Sequence, residues 1–219
     1  MKRSTEDTLR HQGLRRKLIT LLEEKGITDQ GVLEAMSRIP RHFFLDIGFD
    51  ELAYADRSFS IQAGQTISHP YTVAYQTELL RVEKWNKVLE VGTGSCYQSA
   101  VLAEMGAQVF TIERQQELVE VRKKFQWLTN TYRLIKFFYG DGYAGLPQFA
   151  PFDRILITAA AKEVPEALVR QLKIGGTMVV PVGDDESQRM HRVVRIAENE
   201  TSVDVFNEFQ FVPMLKGKT

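Results

Sequence analysis

Val88-Leu89-Glu90-Val91-Gly92-Thr93-Gly94-Ser95-Cys96-Tyr97-Gln98 is the stretch on which the fold turns. An apolar, β-type run ends in a Gly-x-Gly turn, and a helix-type segment follows. Glycine at such a turn permits backbone angles closed to other residues and lets a ligand approach the main chain. Taken alone the pattern is weak, because ordinary strand-to-helix turns use glycine too. Its neighbours decide what it means.

Downstream, short β-rich runs alternate with helical ones. KVLEV (87–91) precedes a predicted helix from about Tyr97 to Met105, and QVFTI (108–112) precedes one from Gln115 to Leu128. LIKFF (134–138) leads into a loop, and DRILIT (153–158) into a helix near 164–172. That rhythm predicts an α/β fold: a mainly parallel sheet with helices on both faces. TMVVPV (177–182), HRVVRIA (191–197) and SVDVFNEFQFV (202–212) have no helix between them and predict an antiparallel C-terminal edge. Upstream, Leu14, Leu18, Leu21 and Leu22 recur at helical spacing until Gly26, and a second helix is predicted from Asp29 to Arg38, ended by Pro40. Residues 41–64 show no period and read as an irregular layer, after which Pro70 suits the first turn of a helix to about Arg81. With no repeat or linker, one domain is expected: an N-terminal helical and loop region (1–80) joined to a sheet region (87–219).

Composition narrows the class. Hydrophobic residues make up 43% and charged residues 26%, as in a globular protein, and 28 Lys+Arg balance 28 Asp+Glu. No overall basic charge invites nucleic acid or an acidic membrane. Cys96 is the single cysteine, so an intramolecular disulfide and a four-thiolate zinc site are out. His42 and His191 lack partners at metal-ligand spacing, so no metal is expected. The basic tip of MKRSTEDTLRHQG is followed by no apolar run, and no stretch of about 18 apolar residues occurs. The expectation is a soluble, cytoplasmic monomer with no membrane or nucleic-acid partner. Arg122-Lys123-Lys124 reads as a solvated helix face.

Glu113 closes the second strand, 21 positions after Gly92, where an acid reaches ribose hydroxyls. Gly140-Asp141-Gly142 closes the third, where an aspartate can reach an adenine amino group. Each has a plainer reading, Glu113 as a helix cap and Asp141 as a turn residue. Their arrival at three successive strand ends favours a ligand, since ligands of open α/β sheets sit there. A dinucleotide loop would carry a third glycine where Tyr97 stands. With Glu90 two residues before Gly92, the loop fits S-adenosylmethionine-dependent methyltransferases better than NAD enzymes. The predicted cofactor residues are Glu90, Gly92, Thr93, Gly94, Glu113, Asp141 and Gly142. Glu90 either supports the cofactor loop from behind or meets the methionine end, with a buried strand group satisfied by the loop as the plainer reading.

Several stretches together make the resemblance specific: LEAMSRIPRHFFL (33–45), GQTISHPYTVAYQTELL (64–80), the glycine loop within 88–103, GDGYAG (140–145), APFDRILITAA (150–160), VPVG (180–183) and FVPMLKG (211–217). From about Leu33 to its C-terminus the chain resembles the protein-L-isoaspartate O-methyltransferases. The resemblance implies a Rossmann-like methyltransferase fold and S-adenosylmethionine as donor, leaving S-adenosylhomocysteine. It implies isoaspartyl-containing proteins and peptides as substrate: the free α-carboxylate is methylated, and the ester collapses to a succinimide that can reopen to aspartate. It places Ser68 at the family's active-site serine, and Gly92, Gly94, Glu113, Asp141 and Gly142 at its cofactor positions. Thr66, Ile67, Ser68 and Val212 are expected to meet the substrate. The family usually reads G-S-G-Y-Q; here Cys96 replaces the second glycine, where a side chain could crowd the loop and weaken the cofactor.

Ser68 beside His69 also invites a hydrolase reading. TISHP lacks the nucleophile turn of Ser–His hydrolases. A carboxylate acceptor has a pKa near about 4 and is ionised at neutral pH, so it needs neither a base nor an enzyme nucleophile. Ser68 is read as a hydrogen-bond donor to the acceptor, with capping of the helix at Pro70 as the alternative. Thr158-Ala159-Ala160 and Val212-Pro213-Met214 could line the site or simply pack at strand ends. Two other functions stay open: methylation of a small molecule or RNA, and S-adenosylmethionine binding without turnover.

Overall fold

In the computed structural model, which describes residues 4, 6–123, 125–184 and 186–219, the chain begins with two capped helices. Thr8 caps α1 (Leu9–Glu24) by accepting from His11 N, and Asp29 caps α2 (Gln30–Arg38) by accepting from Val32 N. The irregular layer then forms 3₁₀ turns at Arg41–Phe44 and Ile47–Phe49. Strand β1 (Phe59–Ser60) pairs antiparallel with β2 (Thr66–Ile67), so part of the predicted loop before Ser68 is a short strand. Helix α3 (Pro70–Leu80) opens on its proline as predicted.

The sheet region follows: β3 (Lys87–Val91), α4 (Tyr97–Glu104), β4 (Gln108–Glu113), α5 (Gln116–Lys123), α6 (Gln126–Thr131), β5 (Ile135–Tyr139), β6 (Phe152–Ile157), α7 (Glu166–Val169), β7 (Leu172–Gly183), β8 (Gln188–Ala197) and β9 (Glu200–Phe209). Spatial order is β5-β4-β3-β6-β7-β8-β9. The first five neighbours run parallel, and β8 and β9 form the antiparallel edge. Strand β3 lies between β4 and β6, the point where the chain reverses its direction across the sheet. A crevice opens there at the strand's C-terminal end, which is the Gly92–Gly94 turn. Successive β3 residues face opposite sides. Val88 shares a core with N-terminal residues such as Leu22 of α1, Met36 of α2, Phe44 of the first 3₁₀ turn and Ala74 of α3, while Leu89 and Val91 share one with Phe152, Leu168 and Met178 on the other face.

Three expectations change. The single helix from Gln115 to Leu128 is two helices, because Phe125 leaves helical angles (φ −92, ψ 73) and buries its ring 5.4 Å from Phe44. Burial of that ring outweighs continuity of the helix. The helix near 164–172 is only α7, since Leu172 already belongs to β7 and pairs with Phe152. Of the basic cluster, Arg122 lies 4.2 Å from the Phe137 ring centre and Lys123 pairs with Glu120, while Lys124 lies outside the described residues. No helix among the described residues is long and apolar enough to cross a membrane.

Candidate active site

A cavity of about 340 Å³ opens over the C-terminal ends of β3 and β4. Thr66, Ile67, Ser68, Gly92, Thr93, Gly94, Glu113, Gly142 and Val212 of the predicted residues line it. Glu90 and Asp141 do not.

The cofactor wall is largely main chain. Gly92 has φ +99, and a Cβ there would stand 2.5 Å from Thr158 Oγ1, which donates to Gly92 O at 2.8 Å. At Gly94 nothing lies within 4 Å of where a Cβ would be, so its backbone is bare to the cavity. A Cβ on Gly142 would meet Val91 Cγ1 at 2.5 Å. Glu113 is pinned by main chain: Oε2 accepts from Gly94 N and Oε1 from Gln115 N, both at 2.9 Å. Each of its oxygens keeps a lone pair for a diol. Bare backbone, an oriented acid and a slot too tight for a side chain fit an adenosyl group.

Glu90 lies beneath the turn, fully buried, and has no surface in the cavity. Its burial rules out direct contact with the cavity and leaves it behind the loop as a buried strand group. Ser99 Oγ donates to its Oε2, Thr111 also reaches it, and Thr111 in turn bonds Thr93 at 2.7 Å. Oε1 has no partner among the described residues. Burial pushes the Glu90 carboxyl up to about 8, so it is protonated at neutral pH. Asp141 stands beside the cavity: Oδ1 accepts from Tyr143 N at 2.9 Å and Oδ2 from Gly217 N at 2.8 Å. Asp141 is thus a turn acid, and each of its oxygens keeps a lone pair.

Gly217 belongs to a C-terminal strap. Thr219 O accepts from Gln116 N at 2.7 Å, Thr219 N donates to Arg114 O at 2.9 Å, and Arg114 Nε donates to Gly217 O at 3.2 Å. The strap thus joins the ends of β4 and β5 at the adenosyl end of the cleft.

The acceptor wall comes from segments with little regular structure. Ser68 is half-buried, and its Oγ has no protein partner among the described residues. It does not cap α3. Asp56 does that from a distant loop, its Oδ1 accepting from Tyr71 N at 2.8 Å while Lys25 holds its other oxygen at 2.5 Å. Nor does Ser68 bond His69, and no nucleophile–base pair exists at this wall. Below it, fully buried Arg41 donates to Ser68 O at 2.7 Å and to Ala53 O at 2.9 Å. Val212 O accepts from Ala160 N at 2.8 Å, and Met214 N donates to Ala160 O at 2.7 Å. The 212–214 segment therefore both docks on the β6 end and lines the cavity, as do Thr158 and Ala159.

Cys96 sits in the left-handed region (φ 71), buried beside Phe44, Ile61 and Leu118 in a separate recess. It does not line the main cavity, and its recess lies behind the loop residues Gly94 and Ser95. His42 is a core histidine stacked on His11 at 3.8 Å. Asp7, His11 and His42 could gather around an ion, but every ring nitrogen already faces a protein group: Thr8 and Asp50 for His11, Tyr54 and Glu6 O for His42. Burial lowers the His42 pKa.

Arg41, Asp56, Phe211 and the strap escaped the sequence reading. Only Arg41 left a signal, a cation inside the apolar run Ile39-Pro40-Arg41-His42-Phe43-Phe44, where a charge must find buried partners.

The family model for protein-L-isoaspartate(D-aspartate) O-methyltransferase matches residues 13–219. A protein-L-isoaspartate O-methyltransferase of Flavobacterium psychrophilum is 53% identical over 215 residues, 97% of this chain and 99% of that protein. One from Dictyoglomus thermophilum is 43% identical over 97% of this chain and 95% of its own length. A solved protein-L-isoaspartate O-methyltransferase superposes with a TM-score of 0.81 at 28% identity, covering 91% of this chain and 65% of that one. A Plasmodium falciparum structure in complex with S-adenosyl-L-homocysteine has the same fold, with a TM-score of 0.78 at 24% identity over 92% of this chain and 98% of its own. A family match across nearly the whole length, with relatives more than half identical, decides the matter: this chain belongs to the protein-L-isoaspartate O-methyltransferase family.

Proposed function

We propose that the chain methylates the free α-carboxylate of L-isoaspartyl residues in proteins and peptides, with Ser68 donating a hydrogen bond to that carboxylate. The observation that carries this assignment is the position of an unpartnered Ser68 hydroxyl in the same cavity as the glycine cradle. Bound S-adenosylmethionine supplies an electrophilic methyl group on a sulfonium. Glu113 would hold the ribose diol, Asp141 with Gly142 would receive the adenine, and the Gly92–Gly94 backbone would border the amino-acid portion. Thr93 lines the cavity and braces the turn through its hydroxyl bond to Thr111.

The acceptor oxygen arrives ionised, so its wall has only to orient it and keep water away. Ile67, Val73, Phe211, Val212 and Pro213 are the apolar groups that do so. Thr66 flanks them at the exposed rim. Lysine and arginine are missing from the acceptor side among the described lining residues, which disfavours RNA as acceptor. Cys96 stands outside the cavity, which removes its motive as the cause of a binding-only protein. The shared core of the N-terminal helices and the sheet supports one domain. The lone cysteine suits a reducing cytoplasm.

The test uses a peptide with L-isoaspartate and its aspartyl twin, with labelled methyl donor. An alkali-labile methyl ester should form on the first and hardly at all on the second. Cofactor binding with neither peptide labelled would sink the assignment.

A further inference from the structure

The cation beneath the acceptor wall has no place yet in the chemistry. Arg41 is fully buried; it donates to two main-chain carbonyls, those of Ala53 and Ser68, and the Tyr97 hydroxyl also lies within its reach. Its guanidinium lies 4.7 Å from the Tyr97 ring centre, and its Nη1 has no partner among the described residues. Asp56 is near enough to act on it through space, yet that carboxylate is itself tied to Lys25 and Tyr71 N. A guanidinium does not give up its proton in a folded protein. The wall thus holds a lasting positive charge that is hidden from solvent and incompletely satisfied. Burying a cation this way is costly, so a purely structural bridge between two carbonyls would be better served by a neutral donor.

The bond to Ser68 O has a second effect. In a trans peptide the C=O and the next N–H point opposite ways. Drawing the Ser68 carbonyl toward Arg41 aims the His69 N–H away from it, and that N–H has no protein partner among the described residues. A peptide polarised at its carbonyl end is a better donor at its N–H end. An arginine standing in the cavity would instead clamp the acceptor carboxylate through both oxygens and occupy the lone pairs that must attack. One peptide unit behind the surface, the same charge attracts the carboxylate and leaves an oxygen free.

We propose that Arg41 is a positioning residue for methyl transfer: it fixes the Ser68–His69 peptide and acts as remote counter-charge for the acceptor carboxylate. This inference rests on the assignment of Ser68 to the isoaspartyl carboxylate. It explains how a wall without exposed lysine or arginine can select an anion.

The experiment compares binding, in the presence of S-adenosylhomocysteine, of an L-isoaspartyl peptide and the same peptide with an α-carboxamide in place of the carboxylate. The wild-type chain should prefer the carboxylate; a wild type indifferent to the two would refute the Ser68 assignment itself. Arg41→Met should shrink that preference by about tenfold and raise the KM of the isoaspartyl peptide by a similar factor, with S-adenosylhomocysteine affinity held within about twofold. Arg41→Lys keeps the charge and loses the fork, so the preference should survive while the KM still rises. A folded Arg41→Met with undiminished preference overturns the inference. Where Arg41→Met does not fold, Arg41→Lys decides: a wild-type KM, or parallel loss of S-adenosylhomocysteine affinity, overturns it equally.

Discussion

On the cofactor wall, Gly92, Gly94, Glu113 and Gly142 each stand within a few residues of a parallel strand end. On the acceptor wall, Ser68 and Val212 stand in segments held by partners far along the chain: Arg41 reaches 27 positions to Ser68, and Asp56 reaches 15 to Tyr71. The first wall offers backbone and one pinned acid. The second offers a hydroxyl and apolar side chains over a buried cation. A donor of fixed shape suits a wall of main chain set by the sheet. An acceptor displayed in many peptide contexts suits a wall whose pieces are held from behind and whose face is left plain.

The sharpest way to break this contrast is Gly92→Ala. The new Cβ needs a left-handed backbone and stands 2.5 Å from Thr158 Oγ1, two penalties totalling about 2–5 kcal/mol. S-adenosylhomocysteine binding, followed by calorimetry, should weaken by more than about thirtyfold, with a lowered Tm. Near-wild-type affinity would mean that the cofactor wall tolerates side chains and differs little from its neighbour.

Ser68→Ala should do the reverse. Losing a hydrogen bond to a charged group costs about 1.5–3 kcal/mol, so kcat/KM for the isoaspartyl peptide should fall about 10- to 150-fold. Cofactor affinity should hold within about twofold. Equal losses on both sides would erase the division between the walls.

The division also explains what could be read in the sequence. Strand ends, Gly92 to Gly94, Glu113 and Gly142 are local patterns, and periodicity with glycine placement located them. Thr66, Ile67 and Val212 came only through resemblance, since nothing in their spacing announces a site; Ser68 drew notice beside His69, but its place at the acceptor came through resemblance too. Glu90 was legible as unusual, with burial left open as one reading, because a strand acid before Gly-x-Gly looks the same whether it faces ligand or core. Asp56 was invisible: its partner is an amide in another element. The break at Phe125 was hidden because helical period says nothing about a ring that finds Phe44.

A milder test removes residues 216–219. The strap contacts Asp141 through Gly217 N and pairs with Arg114 and Gln116 through Thr219. Its loss should weaken S-adenosylhomocysteine about tenfold, mostly by faster release in stopped-flow traces, and leave kcat at saturating cofactor near wild type.

Glu90→Gln probes the support beneath the cofactor wall. With its folded pKa raised to about 8 and an unfolded value of about 4.3, Glu90 contributes full stability below about pH 4.3. That contribution is lost as the pH rises through 8, because the unfolded chain releases a proton that the fold retains. Glutamine does not titrate. The variant should match wild type near pH 4 and exceed it by on the order of 5 kcal/mol at pH 8.5 in urea melts. A constant gap at all pH values would show that Glu90 is ionised where it lies.

Cys96→Gly should change least, and the sign of its effect is informative. Glycine removes a left-handed strain of about 1–2 kcal/mol but gives up burial of the thiol and frees the unfolded backbone, each worth about 1 kcal/mol. These terms nearly cancel, so the Tm should move by no more than a few degrees. Cofactor affinity should stay within about twofold, because the side chain borders the recess with Phe44 and Leu118 behind the Gly94–Ser95 turn and does not line the main cavity. If the glycine variant instead bound S-adenosylhomocysteine tenfold tighter with an unchanged Tm, the thiol would be acting on the turn itself. The cofactor wall would then depend on side-chain packing behind it, just as the acceptor wall depends on Arg41.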